Sequence, residues 1–213
     1  VLSRTDPAIH FLPIALSSTA GSRYMTATRE LLPFRPFRKV PLPAAQEEPL
    51  VAGMARLLLA RGADAQRGPT QTGATPLQLA VAAGRTTLAK LLLQAGADPQ
   101  AMDRTGATPI IAAFDAPNGD LLRLLLEALP AAKRAAARDD ALRQAAARGK
   151  LMAAQALLKQ GAALNGAGAG GQTALHAAAV ANQPALVKLL LERGAGKARR
   201  DAQGNTPLLV AAT

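Results

Sequence analysis

The sequence predicts an all-α protein in which short helix–turn–helix units stack into a solenoid behind an irregular N-terminal segment. Three observations carry this prediction. A threonine-centred motif recurs with threonines at 75, 108, 173 and 206, so the repeat is 33 residues long and one degenerate unit lies between 108 and 173. A leucine-rich run begins sixteen residues after each of these positions in the complete units. Aromatic residues make up only 2% of the 213 residues, which leaves Ala, Leu and Val to build the core.

Residues 1–43 differ from the rest of the chain. They contain six of the fifteen prolines and show no sustained helical or alternating period, so we expect a Pro/Arg-rich, extended or disordered segment. An apolar run at 8–16, followed by small residues, has the form of a secretory signal, which is one alternative. The spacing of Pro33, Pro36 and Arg38 also matches a proline-rich ligand, a pattern that often arises by chance.

The repeat array is predicted to occupy residues 44–213. Its units are expected near 44–69, 70–102, 103–134, 135–167 and 168–200, with a partial unit at 201–213.

The unit at 70–102 shows how the residues specify a helix pair. Thr75 is a typical N-cap, and Pro76 suits the first helical position because its missing N–H has no partner there. The first helix should end at Gly84, and a second helix over about 87–95 should end at Gly96 in a left-handed turn. Neither helix is long enough to be stable alone, so each pair must bury its leucines against neighbouring pairs.

The joint between the third and fourth complete units departs from this pattern. Leu129 stands where a glycine turn is due, so we expect the turn to be rebuilt around Pro130. In the alanine-rich unit that follows, Asp140 takes the threonine position. We expect Asp139 and Asp140 to lie beside the start of its first helix, where carboxylates favour the helix dipole.

Together, the motif Gly-x-Thr-Pro-Leu-x-x-Ala, the leucine run and the Gly-Ala-Asp turn resemble the ankyrin repeat. The resemblance covers residues 44–213. It implies L-shaped units, each with two antiparallel helices and a projecting β-turn, that stack into a curved solenoid. It also implies binding to other proteins, with no catalytic centre shared across the family.

The resemblance places the contact surface on the turn tips and on the concave face of the first helices. Carried over position by position, the implied partner-binding residues are Gln71, Thr72, Ala74, Ala82, Ala83, Arg104, Thr105, Ala107, Asp115, Ala116, Asp139, Ala147, Arg148, Ala169, Gly170, Gln172, Val180, Ala181, Ala202, Gln203 and Asn205. The set contains no Trp or Tyr, the residues that most often anchor an interface.

Residue chemistry argues against an enzyme. The chain has no cysteine and two histidines, of which only His176 lies in the array, where we expect a structural hydrogen bond near a helix start. The glycine-rich stretch 166–171 lacks the Gly-Lys-Ser/Thr of a phosphate loop. Among these candidates, only the basic cluster 197–200 could bind an anion, and a solvent-exposed turn is the better interpretation of it. We therefore expect no catalytic residue, metal or other cofactor, and no small-molecule substrate.

The function that follows is a non-enzymatic protein-interaction scaffold, expected to be monomeric. The net charge of +11 keeps a second hypothesis open, because residues 1–43 carry +4 and could contact an anionic membrane or nucleic acid, with the stack as a spacer. For the array itself, nucleic acid and membrane are unlikely partners, since its basic residues are scattered. The compartment is left open, with the cytoplasm favoured over export. The abundance of Ala, Arg, Gly and Pro suggests a bacterial source.

Overall fold

The computed structural model describes residues 44–66, 68, 73–116 and 119–212, with backbone only at 44–48. The segment 1–43, for which an extended or disordered chain and the alternatives above were predicted, lies outside the described residues. Within them the protein is helical and contains no strand. The described residues form ten α-helices: α1 Ala44–Ala60, α2 Pro76–Ala82, α3 Thr86–Gln94, α4 Pro109–Ala112, α5 Asp120–Glu127, α6 Ala131–Ala147, α7 Leu151–Lys159, α8 Ala174–Val180, α9 Pro184–Glu192 and α10 Pro207–Ala211.

The chain divides into two compact units. The first contains α1, α2, α3 and the turn Met102–Gly106, and the second contains Pro99–Ala101 and helices α4 to α10. None of the helices in the described part is long and apolar enough to cross a membrane.

In the first unit, α2 and α3 form the helix pair that the sequence predicts. The Thr75 hydroxyl accepts from the Gln78 N–H at 3.2 Å, and the Gln78 carbonyl oxygen accepts from the Thr75 N–H at 2.6 Å, which is a complete capping box. Gly84 and Gly96 adopt φ values of +69° and +87° at the two helix ends, as predicted. The side chains of Leu88 and Leu92 are fully buried between the helices.

Residues 44–60 form the single helix α1, which packs against α3. Gly53 does not interrupt it, since the first described glycine with a positive φ is Gly62 at +86°. A left-handed residue is what separates the two helices of the α2–α3 pair, so without one this stretch continues as one helix of 17 residues. It leaves Leu50 and Leu57 exposed on its surface.

In the second unit, α8 and α9 form a hairpin, and α8 also packs against α6 and α10. The α6–α7 pair repeats the arrangement. The short α4 continues into a 3₁₀ turn at Ala113–Asp115, which buries Phe114. Leucines from the second helices, together with alanines from the first, make up most of the core.

The expected helix start beside Asp140 is wrong. Helix α6 begins at Ala131 and runs for 17 residues, so Asp139 and Asp140 lie in its interior. Pro130 is its N-cap residue, and the following stretch is dominated by alanine, the best helix former. The stretch contains no Thr-Pro that would start the helix later and no glycine that would interrupt it. Ten additional helical residues, nearly three turns, therefore replace the turn tip of this unit, and α6 crosses the boundary predicted between 134 and 135.

The rebuilt joint around Pro130 is confirmed. Leu129 is buried, and its backbone does not adopt the positive φ of a left-handed turn. In other units, a glycine turn satisfies the carbonyl groups at the helix end. Here Arg134 does so, because its guanidinium donates to the carbonyl oxygens of Leu129 and Glu127, both at 2.8 Å. The carbonyl of the last residue of α5 and that of Leu129 just beyond it are thus satisfied by a side chain from α6.

Three side chains hold the additional turns of α6 against the turn that follows α7. Arg138 Nη1 donates to the Gln160 carbonyl oxygen at 2.6 Å. Asp139 Oδ1 accepts from the Ala163 N–H at 2.7 Å, and Arg143 Nη1 donates to the Gly166 carbonyl oxygen at 3.4 Å. The helical replacement of the tip is therefore bonded to its neighbour through polar groups.

We predict that Arg134→Ala lowers the free energy of unfolding by about 1–2 kcal/mol, because two carbonyl groups at the end of α5 lose their charged donor. Urea unfolding followed by circular dichroism measures this. Lys133→Ala is the control, because the Lys133 side chain is exposed on the same turn and forms no hydrogen bond or ion pair within the described residues, so its effect should stay within about 0.5 kcal/mol. Equal stabilities of the two variants would contradict the assigned role.

Candidate protein-binding surface

The turn tips are shaped by aspartates that bond to the backbone two to four residues further on. Asp201 Oδ1 accepts from the N–H groups of Gln203 at 3.0 Å and Asn205 at 2.8 Å. Asp103 Oδ1 accepts from both the N–H and the hydroxyl of Thr105, at 2.8 and 2.6 Å. These bonds fix the tip backbone before any partner arrives, which reduces the entropy lost on binding.

Two neighbouring tips of the second unit are bonded to each other. The Ala202 N–H donates to the Gly170 carbonyl oxygen at 2.8 Å. Gly171 has a φ of +73°, and a Cβ at this position would lie 3.0 Å from the Ala202 nitrogen. Glycine is therefore required there both for the backbone angle and for the close approach of the next tip.

The environment of Asp201 also sets its protonation. Burial raises the pKa of the Asp201 carboxyl, but the hydrogen bonds from the Asn205 and Gln203 N–H groups outweigh this, so the pKa lies below its ordinary value. The carboxylate is therefore held in its charged form, in which it accepts the bonds that shape the tip.

His176 has the structural role that the sequence predicts. It is fully buried at the third position of α8, and its Nδ1 lies 3.3 Å from the Thr173 nitrogen and 2.9 Å from the Thr173 hydroxyl oxygen. Its Nε2 lies 3.1 Å from the Asn205 carbonyl oxygen. A neutral ring with its proton on Nε2 satisfies both sides: Nδ1 accepts from Thr173, and Nε2–H donates to Asn205. The ring thus bonds a helix start to the next tip.

The C-terminal ends of α4, α6 and α8 also come together in the second unit. Lys150 forms an ion pair with Asp115, linking the α6–α7 turn to the end of α4. The Gln183 side chain lies directly against Gly149, linking the same turn to the end of α8. We call the six exposed or half-buried candidates at these ends the helix-end surface: Asp115, Ala116, Ala147, Arg148, Val180 and Ala181.

The remaining predicted contact residues are placed as follows. Exposed ones are Ala82, Ala83, Arg104 and Thr105 in the first unit and Ala169, Gly170, Gln172, Ala202 and Gln203 in the second, and half-buried ones are Ala74, Ala107, Asp139 and Asn205. Asp139 stands in the interior of a helix and not at a tip, and its carboxylate already accepts an intramolecular bond. Gln71 and Thr72 lie outside the described residues.

The role of Lys150 was not predictable from sequence, because its partner Asp115 is 35 residues away and neither residue belongs to a motif. The role that Gln78 shares with His176 was also not predicted. A signal for Gln78 was present, since a threonine followed three residues later by glutamine is the pattern of a capping box.

The second unit thus combines repeated helix pairs, hydrogen-bonded tips and first-helix ends that contact one another through the α6–α7 turn. The family model for ankyrin repeats, in three copies, matches residues 44–136 and 142–213. The chain belongs to the ankyrin repeat family. Ankyrin repeats are generally protein–protein interaction modules, and the family is generally non-enzymatic. A search of the curated proteins finds no match to the chain.

We predict that His176→Leu lowers the free energy of unfolding of this ankyrin protein by about 2–4 kcal/mol, because the buried Thr173 N–H loses its acceptor and the Asn205 carbonyl keeps only its bond from the Asp201 N–H. His176→Gln should cost only about 1 kcal/mol, since glutamine closes the same capping box at Gln78 and only the bond to Asn205 is lost. Urea unfolding checks both values. A glutamine variant as unstable as the leucine variant would contradict the shared role.

The lowered pKa of Asp201 predicts a dependence of stability on pH. Below the ordinary aspartate pKa of about 3.9, the unfolded chain binds a proton that the folded carboxylate still excludes, so acid favours unfolding. This contribution is fully present above about pH 5 and is lost as the pH falls through the folded pKa. The difference in unfolding free energy between wild type and Asp201→Asn, measured from pH 2 to 7, should therefore shrink in acid. A difference independent of pH would contradict the prediction.

Proposed function

We propose that this chain is a non-enzymatic scaffold that binds another protein through the helix-end surface of its second unit and the tips beside it. One observation carries the proposal. The Lys150–Asp115 ion pair and the Gln183–Gly149 contact join the ends of three successive first helices, so their exposed residues form one continuous surface. A continuous, hydrogen-bonded surface is what a protein partner requires, whereas a small-molecule ligand needs an enclosed pocket.

The residues of this surface favour a particular way of binding. Ala147 and Ala181 are short, so a partner backbone can approach the helix ends closely. Arg148 is exposed, and within the described chain its guanidinium bonds only to the uncharged Gln144 side chain, so its charge is available to a partner carboxylate. Val180 is 58% exposed and supplies the largest apolar contact area of the six. We infer that Arg148 and Val180 are the anchors.

The charge of Asp115 serves a different purpose. It is compensated by Lys150, which ties the α4 end to the α6–α7 turn. We infer that Asp115 contributes little direct attraction to the partner, because its charge is already compensated by Lys150.

Photo-crosslinking tests the proposal in an extract of the native host. A photoreactive residue at Val180 should yield a discrete, saturable crosslink to one protein. The same residue at Met152, which is 66% exposed on the second helix α7, should yield none. Equal crosslinking at the two positions would overturn the assignment of the surface.

With that partner purified, Arg148→Glu should weaken binding by about tenfold, because a favourable charge becomes repulsive at an anchor. Lys159→Glu is the matched control, because it makes the same charge change at an exposed position on α7. Calorimetric titration measures both. Equal losses in the two variants would mean that net charge alone, and not the helix-end surface, drives the interaction.

A further inference from the structure

The tips at residues 168–172 and 201–205 of the second unit share one backbone pattern. In the later tip, the Asp201 N–H donates to the Asn205 carbonyl oxygen at 2.9 Å. In the earlier tip, the Gly168 N–H donates to the Gln172 carbonyl oxygen at the same distance. Gly168 is extended, with a φ of −90° and a ψ of −167°. Because successive N–H groups of an extended chain face opposite sides, the residue after Gly168 directs its N–H out of the tip.

The outward N–H groups of the two tips differ in what they bond to. Ala169 and Ala202 occupy equivalent positions, each four residues before the helix-start threonine. The Ala202 N–H donates to the Gly170 carbonyl oxygen of the preceding tip at 2.8 Å. The Ala169 N–H forms no hydrogen bond within the residues that the structure describes. Helix α6 explains the difference, because its additional turns replace the tip that would precede Ala169.

A second residue on this edge also has free main-chain groups. Neither the N–H nor the carbonyl oxygen of Ala167 bonds to any described residue, and Ala167 lies on the other side of Gly168 from Ala169 along the chain. Both alanines are exposed, although the Arg143 guanidinium lies against Gly168 between them. We call Ala167 and Ala169 the open tip edge. Exposed main-chain donors and acceptors at alternate residues are the groups with which an added extended chain pairs.

Charge distinguishes between the chains that could occupy the open tip edge. Residues 131–213 contain twelve Lys or Arg against four Asp or Glu, and the whole chain has a net charge of +11. This charge repels a second copy of the chain, and it repels the segment 1–43, in which six Lys or Arg stand against two acids. An acidic segment of another protein is attracted instead.

We propose that the open tip edge binds an extended, acidic segment of another protein through main-chain hydrogen bonds. A carbonyl oxygen of the segment accepts from the Ala169 N–H, as the Gly170 carbonyl oxygen accepts from Ala202. An N–H of the segment donates to the Ala167 carbonyl oxygen. The segment takes the place of the tip that α6 replaces. The side chains of the edge are single methyl groups, so the partner backbone and the surrounding charge provide the recognition.

This inference rests on the proposed function and adds the conformation of the partner. Helix α8 separates the open tip edge from Val180 and Ala181 of the helix-end surface, and its seven residues span about 10 Å. About four extended residues cover that distance. One extended segment therefore reaches both the edge and the helix-end surface.

Hydrogen exchange of the unbound protein tests the edge itself. The Ala169 N–H should exchange at least about tenfold faster than the Ala202 N–H, because only the second is hydrogen-bonded. Equal protection of the two amides would reveal an intramolecular acceptor for Ala169 and would overturn the proposal.

The protein that crosslinks to Val180 supplies the probe for binding. A photoreactive residue at Ala167 should crosslink to the same protein, and mapping of that crosslink should identify an acidic segment, which is then synthesised as a peptide. Ala169→Pro in the full-length protein should weaken binding of this peptide by about tenfold in a calorimetric titration, since proline deletes the donor. Ala169→Ser is the matched control, because it keeps the N–H and should bind like the wild type.

The thermal melt shows whether proline acts only through the lost donor. The fixed φ of proline suits the first residue of the 3₁₀ turn Ala169–Gly171, so Ala169→Pro should melt like the wild type. Ala202→Pro should melt at a lower temperature, because its bond to Gly170 is lost.

Methylation of single backbone nitrogens in the peptide tests the pairing without any change to the protein. Binding should weaken at the residue whose N–H donates to Ala167, and it should be retained at the two neighbouring residues, whose N–H groups face away. Equal effects at all positions would contradict main-chain pairing.

The outcomes separate this inference from the proposed function. Weaker binding by Arg148→Glu together with unchanged binding by Ala169→Pro would leave the helix-end surface in place and overturn the open tip edge. No crosslink at Val180 would overturn the proposed function and this inference with it.

Discussion

Every helix pair in this protein depends on burial that it cannot provide by itself. Helices α2, α3, α8 and α9 have only seven to nine residues, and helices of this length are not stable in water. Their leucines become buried only when a neighbouring helix covers them, so the stability of one pair includes the surface of the next. Hydrogen bonds then fix the register in which the pairs meet.

The position three residues after the N-cap shows how local and longer-range bonds are combined. Gln78 and His176 both close a capping box, which is a bond within one helix start. His176 does more, because its second ring nitrogen faces the Asn205 carbonyl of the following tip. One buried side chain thereby links the start of α8 to the folding of the next tip. This link is of the kind that makes a row of small units unfold together.

The parts of the fold that were predictable from sequence are those fixed by neighbouring residues. Thr75 with Pro76, and Gly84 with Gly96, determine helix starts and ends because capping and left-handed turns act over a few residues. The length of α6 was not predicted, because it follows from the absence of Thr-Pro and glycine in this stretch and not from a motif that is present. Without those residues, the helix propensity of alanine extends the helix back to Pro130. The contacts of Arg134 and the pairing of Asp115 with Lys150 depend on tertiary packing, which the repeat pattern does not contain.

The same composition that makes the stack regular also limits how it can bind. Alanine lets helices approach closely, but it leaves the helix-end surface with little area to desolvate beyond Val180. Interface energy comes mainly from a few large buried side chains, so such a surface acts through shape and through charges such as Arg148.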